Sequence, residues 1–330
     1  MIVSWNTTNA CNMYCDHCYR DAGCKAEDEL NTPEAKLLLE QIAKAGFKIM
    51  IFSGGEPLLR SDINELVSHA ASLGLRPVLG TNGTLLTVNK VRQLKEAGAM
   101  GVGISLDSMD SLKHNKFRHY PKAWEEAVQG LRNCHKIGLP FQIHTTVMDW
   151  NLQEIENITD FAVQEGAVAH HFFFLVPTGR AVSMGEENLR SEGYEEALKR
   201  ILKKQQEVKI ELKPTCAPQF MRIAKDLGIK MRFSRGCLAG IAYCIISPQG
   251  QVQPCAYLNI ALGDVRKIPF DEIWRGHEVL QKLRTLDYKG ECGVCAYKKI
   301  CGGCRARAAY YHEGDYMAGE PSCLYHSRKG

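Results

Sequence analysis

The sequence has no run of about 18 apolar residues, the length a helix needs to cross a bilayer. Its first ten residues, MIVSWNTTNA, lack a basic start and a long apolar stretch, so they do not read as an export signal. No block of like charge occurs. The 41 Lys and Arg nearly balance the 37 Asp and Glu, leaving a formal net charge of +4. That is too mild for a nucleic-acid partner, and it suits an anionic small substrate. Internal repeats and low-complexity stretches are absent, which excludes solenoids and disordered tails. Cysteine is also scarce in the middle: between Cys24 and Cys237 only Cys134 and Cys216 occur. These absences lead to the expectation of a cytoplasmic protein with no membrane contact. Its 330 residues suffice for one large barrel-type domain and a smaller module.

The ends of the chain are where cysteine is abundant. Of 14 cysteines, three lie within Cys11–Cys18 and eight between Cys237 and Cys323. In a secreted chain such numbers suggest disulfides; in a cytoplasmic chain of this size, clustered cysteines bind metal. Cys134 reads as a core residue, Cys24 as a loop thiol, and Cys216, within Lys213-Pro-Thr-Cys-Ala-Pro-Gln-Phe220, as a possible substrate or cluster contact.

From residue 1 to about 180, short apolar runs alternate with helical patterns. Strands are expected at Ile2–Thr7, Lys48–Phe52, Arg76–Thr81, Gly101–Leu106, Phe141–Val147 and His170–Leu175. Helices are expected at Pro33–Ala45, Ile63–Leu73, Val88–Ala97, Ala123–Ile137 and Leu152–Gln164, the first capped by Thr32. Glycines such as Gly138 close them. Strand–helix alternation of this kind predicts a parallel α/β sheet, here a partial (β/α)6 barrel of the TIM type, with function at the carboxyl ends of the strands. Residues 181–236 read as a helical bridge. From 237 to 330 the chain reads as a small cysteine-rich α+β domain, with a hairpin around Pro248-Gln249-Gly250, helices within Phe270–Arg284, and little apolar periodicity beyond. Such a segment needs metal to fold.

The motif Cys11-Asn-Met-Tyr-Cys15-Asp-His-Cys18 has C-x3-C-x2-C spacing in the loop after the first strand. Three thiolates can hold three irons of a 4Fe–4S cube and leave the fourth open for chemistry, whereas a structural cluster takes four cysteines. A zinc site with His17 as fourth ligand is the alternative. Downstream, Cys237, Cys244, Cys255, Cys292, Cys295, Cys301, Cys304 and Cys323 supply eight thiolates, enough for two four-cysteine sites. Two C-x2-C knuckles also allow a zinc ribbon.

The first motif, at the end of strand one of a partial barrel, resembles the radical SAM superfamily. The resemblance implies that S-adenosylmethionine (SAM) chelates the open iron and is cleaved to methionine and a 5′-deoxyadenosyl radical. Three further segments match: Ser53-Gly-Gly-Glu-Pro57, Thr81-Asn-Gly83 and Ser105-Leu-Asp-Ser108, each at a strand end. By that resemblance Gly54 and Gly55 permit close backbone approach, Glu56 accepts from the SAM ammonium, and Asn82, Ser105 and Asp107 line the cofactor. Arg118 would sit by its carboxylate and His17 against its adenine.

The C-terminal cysteines resemble the auxiliary-cluster module called SPASM, found in peptide-modifying and sulfatase-maturing enzymes. This chain has Cys301-Gly-Gly-Cys304 where the module typically has C-x3-C. By analogy one auxiliary 4Fe–4S cluster takes Cys237, Cys244, Cys255 and Cys304, and a second takes Cys292, Cys295, Cys301 and Cys323; one or both would be filled. The segments Val3–Cys15, Phe174-Leu-Val-Pro-Thr-Gly-Arg180, Pro214-Thr-Cys-Ala-Pro218 and Cys301–Arg307 resemble the haem and haem d1 biosynthesis branch, the NirJ and AhbD types. That branch acts on tetrapyrroles. The implied reaction is oxidative decarboxylation of two iron-coproporphyrin III propionates to vinyls; removal of acetate or propionate groups from a sirohaem-derived porphyrin is the alternative within the branch. Flavodoxin or ferredoxin would supply electrons. Arg180, Arg222, Arg232 and Arg235 are candidates for the propionates, His170 and His171 for the iron if their strand is short, and Phe172–Phe174 for a macrocycle wall. A peptide-modifying enzyme with the same module, and a non-enzymatic electron carrier or zinc protein, remain as other classes. A pure carrier has no need of Gly54-Gly55-Glu56.

Overall fold

The computed structural model describes residues 1–184 and 191–325. Ten strands form one sheet: β1 (Ile2–Asn6), β2 (Ile49–Ser53), β3 (Arg76–Thr81), β4 (Gly101–Ser105), β5 (Phe141–Val147), β6 (Ala169–Phe174), β7 (Glu211–Thr215), β8 (Tyr243–Ile246), β9 (Gln251–Gln253) and β10 (Gly263–Asp264). Their order is β10-β9-β8-β1-β2-β3-β4-β5-β6-β7. The helices are α1 (Thr32–Lys44), α2 (Ile63–Ser72), α3 (Val88–Glu96), α4 (Ser111–Arg118), α5 (Ala123–Ile137), α6 (Ile155–Gln164), α7 (Ser191–Gln205), α8 (Phe220–Asp226), α9 (Phe270–Gly276), α10 (Glu278–Thr285), α11 (Gly290–Val294) and α12 (Arg305–Tyr311). None of the described helices is long and apolar enough to cross a membrane.

The six expected strands are all present and parallel, and their outward residues (Met50, Phe52, Leu79, Val102, Ile104, Phe141, Ile143) pack under the helices in the main core. Inward positions are small or polar, as at Ser53, Gly80, Gly103 and Ser105, so the lumen keeps room near the strand ends. The cap of α1 is Asn31 rather than Thr32. Its side chain accepts from the Glu34 N–H at 3.0 Å while Glu34 accepts from the Asn31 N–H at 2.9 Å, and Pro33 occupies the first turn. Gly138 closes α5 with φ of 71°, the left-handed geometry for which glycine was expected.

The barrel carries two more parallel strands than the six expected. β7 lies inside the segment 181–236 that read as purely helical, and pairs with β6. It was illegible because Lys213 and Glu211 alternate with Leu212 and Pro214, a pattern that looks like a loop; proline is tolerated because β7 is an edge. β8 comes from the cysteine-rich segment, and pairs in parallel with β1 while forming the expected hairpin with β9. The two ends of the chain therefore share one sheet. Phe47 packs edge-on against Phe270 and Trp274, which docks α9 on the helix layer around α1. No described pairing joins β7 to β8, so the parallel sheet stays open on that side.

Candidate active site: one three-thiol loop and two four-thiol groups

The loop after β1 bundles its thiols. Cys15 is buried with Met13 and Ala123, and Cys11 and Cys18 pack against them. Three outside elements grip the loop. From the end of β6, Arg180 donates Nε to the Cys15 carbonyl at 2.9 Å and Nη1 to the Ala22 carbonyl at 2.8 Å, and its guanidinium lies over Tyr14. Its own N–H meets the Cys18 carbonyl at 3.0 Å. Gly179 must be glycine: a Cβ would stand 2.5 Å from the Cys18 carbonyl oxygen. From β3, Asn82 Nδ2 donates to Asn12 Oδ1 at 2.8 Å. From α4, Arg118 Nη1 points at Cys15 Sγ at 3.8 Å, and Cys18 Sγ accepts the Ala22 N–H at 3.4 Å.

Do these residues fit an iron–sulfur cube? Burial pushes the Cys11 thiol up to about 12, so an ionised sulfur there needs a positive partner. N–H donors and a buried guanidinium aimed at sulfur suit cluster-bound thiolates. The donor set fits the cube.

The residues expected around SAM fall into two groups. Glu56 is fully buried and accepts from Thr81 Oγ1 at 2.8 Å, the Asn82 N–H at 2.9 Å and the Leu58 N–H at 3.1 Å. Burial outweighs these bonds and pushes its carboxyl up to about 7. The Gly54-Gly55 pair lets chain meet chain: Cβ atoms would stand 2.5 Å from the Thr8 carbonyl oxygen and 2.1 Å from that of Ala10. The Gly55 and Glu56 N–H groups bond those same carbonyls. Asp107 is fully buried and spends its carboxylate on the protein, accepting from Arg118 Nε at 2.7 Å and the Thr146 N–H at 2.9 Å, with His114 at 3.4 Å. Burial alone would raise this carboxyl, but Arg118 and His114 hold it far below the usual range. Asp107 thus positions Arg118 behind the cluster loop. His17 stacks on Phe117, centroids 4.2 Å apart, and Phe117 meets Trp150 edge-on. Burial, then Arg118, lower its pKa to about 3, so the ring is neutral, and its Nδ1 is buried without a partner. Ser105 ends β4 and is half-buried on the lumen side.

The C-terminal thiols gather into two groups. Cys292, Cys295, Cys301 and Cys323 line one cavity together with Arg222, Gly302 and Glu320. N–H groups point at their sulfurs: Glu320 and Arg305 at Cys292, Tyr297 at Cys295 and Gly303 at Cys301. Cys255 and Cys304 pack in one small apolar cluster, with Cys237 close by. The shortened Cys301-Gly-Gly-Cys304 link makes the turn between groups, with Gly302 and Gly303 both left-handed at φ of 82° and 58°. Arg305 and Arg307 are almost fully buried, one on each side: Arg305 bonds Cys292, while Arg307 bonds the carbonyls of Leu175 and Cys216. Cys244 does not join the first group. It lies fully buried in the main core, and its electrostatic neighbour is Arg284. Cys216 stands where Cys244 was expected, beside Cys304, Cys255 and Cys237. Cys134 is in the core and Cys24 is exposed.

Between the two ends of the site lie three tyrosines that the sequence did not single out. Tyr19, next to Cys18, bonds Asn6 and stands 5.2 Å from Tyr257; Tyr243 neighbours Tyr19 and Cys255. The candidate substrate arginines are mostly engaged. Arg180 holds the cluster loop, Arg222 pairs with Glu195 and Asp226, and Arg235 bonds the Cys237 carbonyl and Tyr288. Arg232 is exposed. β6 includes both histidines, contrary to the short strand an iron contact needs. His170 is buried between Thr145 and Thr159. Phe172 and Phe174 are core residues. His144, His171, Phe173 and Lys213 face the lumen instead, with His144 stacked on His171 and touching Phe173. Their alternation along β5–β7 is the signal that could have found them.

The radical SAM superfamily profile matches residues 5–162, and that of the iron-sulfur cluster-binding SPASM domain matches 237–305. An AdoMet-dependent heme synthase of Methanosarcina barkeri (strain Fusaro) is 43% identical, covering 99% of this chain and 97% of the relative. The chain belongs to the radical SAM family of haem-biosynthesis enzymes. It is thus an enzyme with SAM and iron–sulfur clusters as cofactors. An Fe-coproporphyrin III synthase of the same organism is 30% identical, over 98% of this chain and 87% of its own. Streptococcus suis SuiB, solved with its precursor peptide SuiA, superposes with a TM-score of 0.79 at 16% identity, over 97% of this chain and 75% of that one. At that identity the likeness is one of fold.

Proposed function

We propose that this enzyme converts the two relevant propionates of iron-coproporphyrin III to vinyls, giving protohaem. The observation that carries the reading is the difference between two relatives in one organism: 43% identity to the heme synthase against 30% to the Fe-coproporphyrin III synthase. Removal of side chains from a sirohaem-derived porphyrin stands behind it on that count. Cys11, Cys15 and Cys18 hold the cluster that, with SAM bound, supplies the 5′-deoxyadenosyl radical. Glu56, Asn82 and Ser105 face the cofactor, with Gly54 and Gly55 fixing the loop, and Asp107 orients Arg118. Cys292, Cys295, Cys301 and Cys323 hold an auxiliary cluster, as do Cys237, Cys255 and Cys304 with a fourth thiol. Each propionate loses one hydrogen atom, one CO2 and one electron, and the auxiliary sites lie on the protein's route for that electron. Lys213, half-buried over Phe233 beside the lumen, is a cation suited to a porphyrin carboxylate. Residues 1–180 together with β7 and β8 form the radical-generating barrel, the remainder of 191–236 bridges it, and the cysteine-rich residues from 237 to 325 outside β8 form the auxiliary module. A flavodoxin or ferredoxin delivers electrons, in the cytoplasm.

The test is anaerobic turnover of reconstituted protein with SAM, a strong reductant and iron-coproporphyrin III, followed by mass spectrometry. Two successive CO2 losses with 5′-deoxyadenosine are expected. Deoxyadenosine with an unchanged porphyrin, and turnover of a sirohaem-derived porphyrin instead, would overturn the reading.

A further inference from the structure

We propose that Cys216, not Cys244, completes the first auxiliary site with Cys237, Cys255 and Cys304, and that the cluster they hold latches the open edge of the barrel. Three independent observations converge on this. The first is placement. Cys216 and Cys255 pack with Cys304 in one small apolar cluster with Val176 and Leu258. Cys237 is a further electrostatic neighbour of Cys216.

The second is the alternation of β8. Tyr243 and Cys244 are consecutive, so their side chains leave opposite faces of the strand. Tyr243 faces Tyr19 and Cys255. Cys244 therefore points away from the thiol group, into the core beneath α10, where Arg284 is its neighbour. No side-chain rotation brings it across the sheet.

The third is the backbone at Cys216. It is left-handed, with φ of 60°, a conformation uncommon for a non-glycine residue. Its carbonyl is clamped by Tyr194 Oη at 3.0 Å and Arg307 Nη1 at 3.2 Å. Flanking Pro214 and Pro218 stiffen the turn. This held turn presents a thiol at the carboxyl end of β7. The SPASM match begins at residue 237, so this ligand comes from outside the module.

The topology gives the consequence. β7 and β8 are the two strands that leave the parallel sheet unclosed. Cys216 directly follows β7, and Cys237 precedes β8 while its N–H bonds the Cys301 carbonyl. A cluster held by both spans the gap that hydrogen bonds leave open.

The proposal rests on the iron–sulfur reading of the module, and its test contains no porphyrin, so failure of the substrate reading leaves it standing. In full-length protein carrying Cys11→Ala, Cys15→Ala and Cys18→Ala, the auxiliary clusters alone remain, about eight irons per chain. Adding Cys216→Ala is expected either to halve the iron and sulfide or to keep both and yield a 3Fe–4S paramagnetic signal on mild oxidation. Cys216→Ser, which preserves packing, is expected to alter the reduced spectrum if it retains iron. Cys244→Ala is expected to leave iron, sulfide and spectrum unchanged. Full iron with unchanged spectra in both Cys216 variants overturns the proposal. So does loss of a cluster in Cys244→Ala alone, or zinc in place of iron in the parent.

Discussion

Replacing Arg118 by glutamine removes one end of a buried ion pair, and its cost follows from the contacts left behind. Arg118 Nε donates to Asp107 Oδ2 at 2.7 Å, and the Asp107 side chain is wholly inaccessible. Taking away one partner of such a pair ordinarily costs about 3–5 kcal/mol, because the remaining charge is desolvated and unpaired. Asp107 keeps the Thr146 N–H and the His114 ring, which sets the expectation near the lower end, about 3 kcal/mol. At roughly 1.4 °C per kcal/mol for a chain of 330 residues, Tm should fall by about 4 °C. The pair also gives a sign in pH. The carboxyl is held far below its usual range in the fold. Its stabilisation is therefore complete above the unfolded value near 4 and is lost only in acid below that. The gap between wild type and variant should stay constant from about pH 6 to 9. Thermal melts of reconstituted protein at matched iron content measure it. Asp107→Asn strands the guanidinium and should cost a similar amount, while the double variant, having no orphan charge, should cost less than the two together. A shift under about 2 °C, or strict additivity in the double variant, would refute the reasoning.

Gly55→Ala should abolish the radical-generating cluster, because its Cβ would meet the Ala10 carbonyl at 2.1 Å; about four irons should be missing while the auxiliary signals persist. Arg180→Met removes donors to the Cys15 and Ala22 carbonyls. It should cost about 1–3 kcal/mol and speed bleaching of the cluster in air, read by absorbance. Glu56 is raised to about 7 by burial, so its ionisation works against the fold, and wild type should lose stability as pH rises from about 5 through 7. Glu56→Gln should remove up to about 3 kcal/mol of that slope in chemical denaturation; parallel profiles would contradict it.

Some of the site could be read directly because it is local. C-x3-C-x2-C places three thiols in one turn-rich loop whatever the rest of the chain does, and Cys292-x2-Cys295 with Cys301 does the same at the other end. The glycines of Gly54-Gly55 were legible as close-approach positions, though the chain they approach is Thr8–Ala10. Arginine roles were not legible. Arg118, Arg180, Arg305 and Arg307 each act on atoms at least 11 residues away in sequence, and a guanidinium looks alike in sequence whether it holds a loop or a substrate.

The sequence by itself determined the alternating strands and helices to residue 174, the three-thiol loop at the end of β1, and the composition of a metal-dependent C-terminal segment. Those follow from periods of 2 and 3.6 and from ligand spacing, which act over a few residues. Only the tertiary structure decided that β8 joins β1, that β7 is an edge strand, and that Cys216 rather than Cys244 stands beside Cys237, Cys255 and Cys304. The reason is geometric. Along a strand, neighbouring side chains face opposite ways, and which face looks into the barrel is set by pairing with strands hundreds of residues distant.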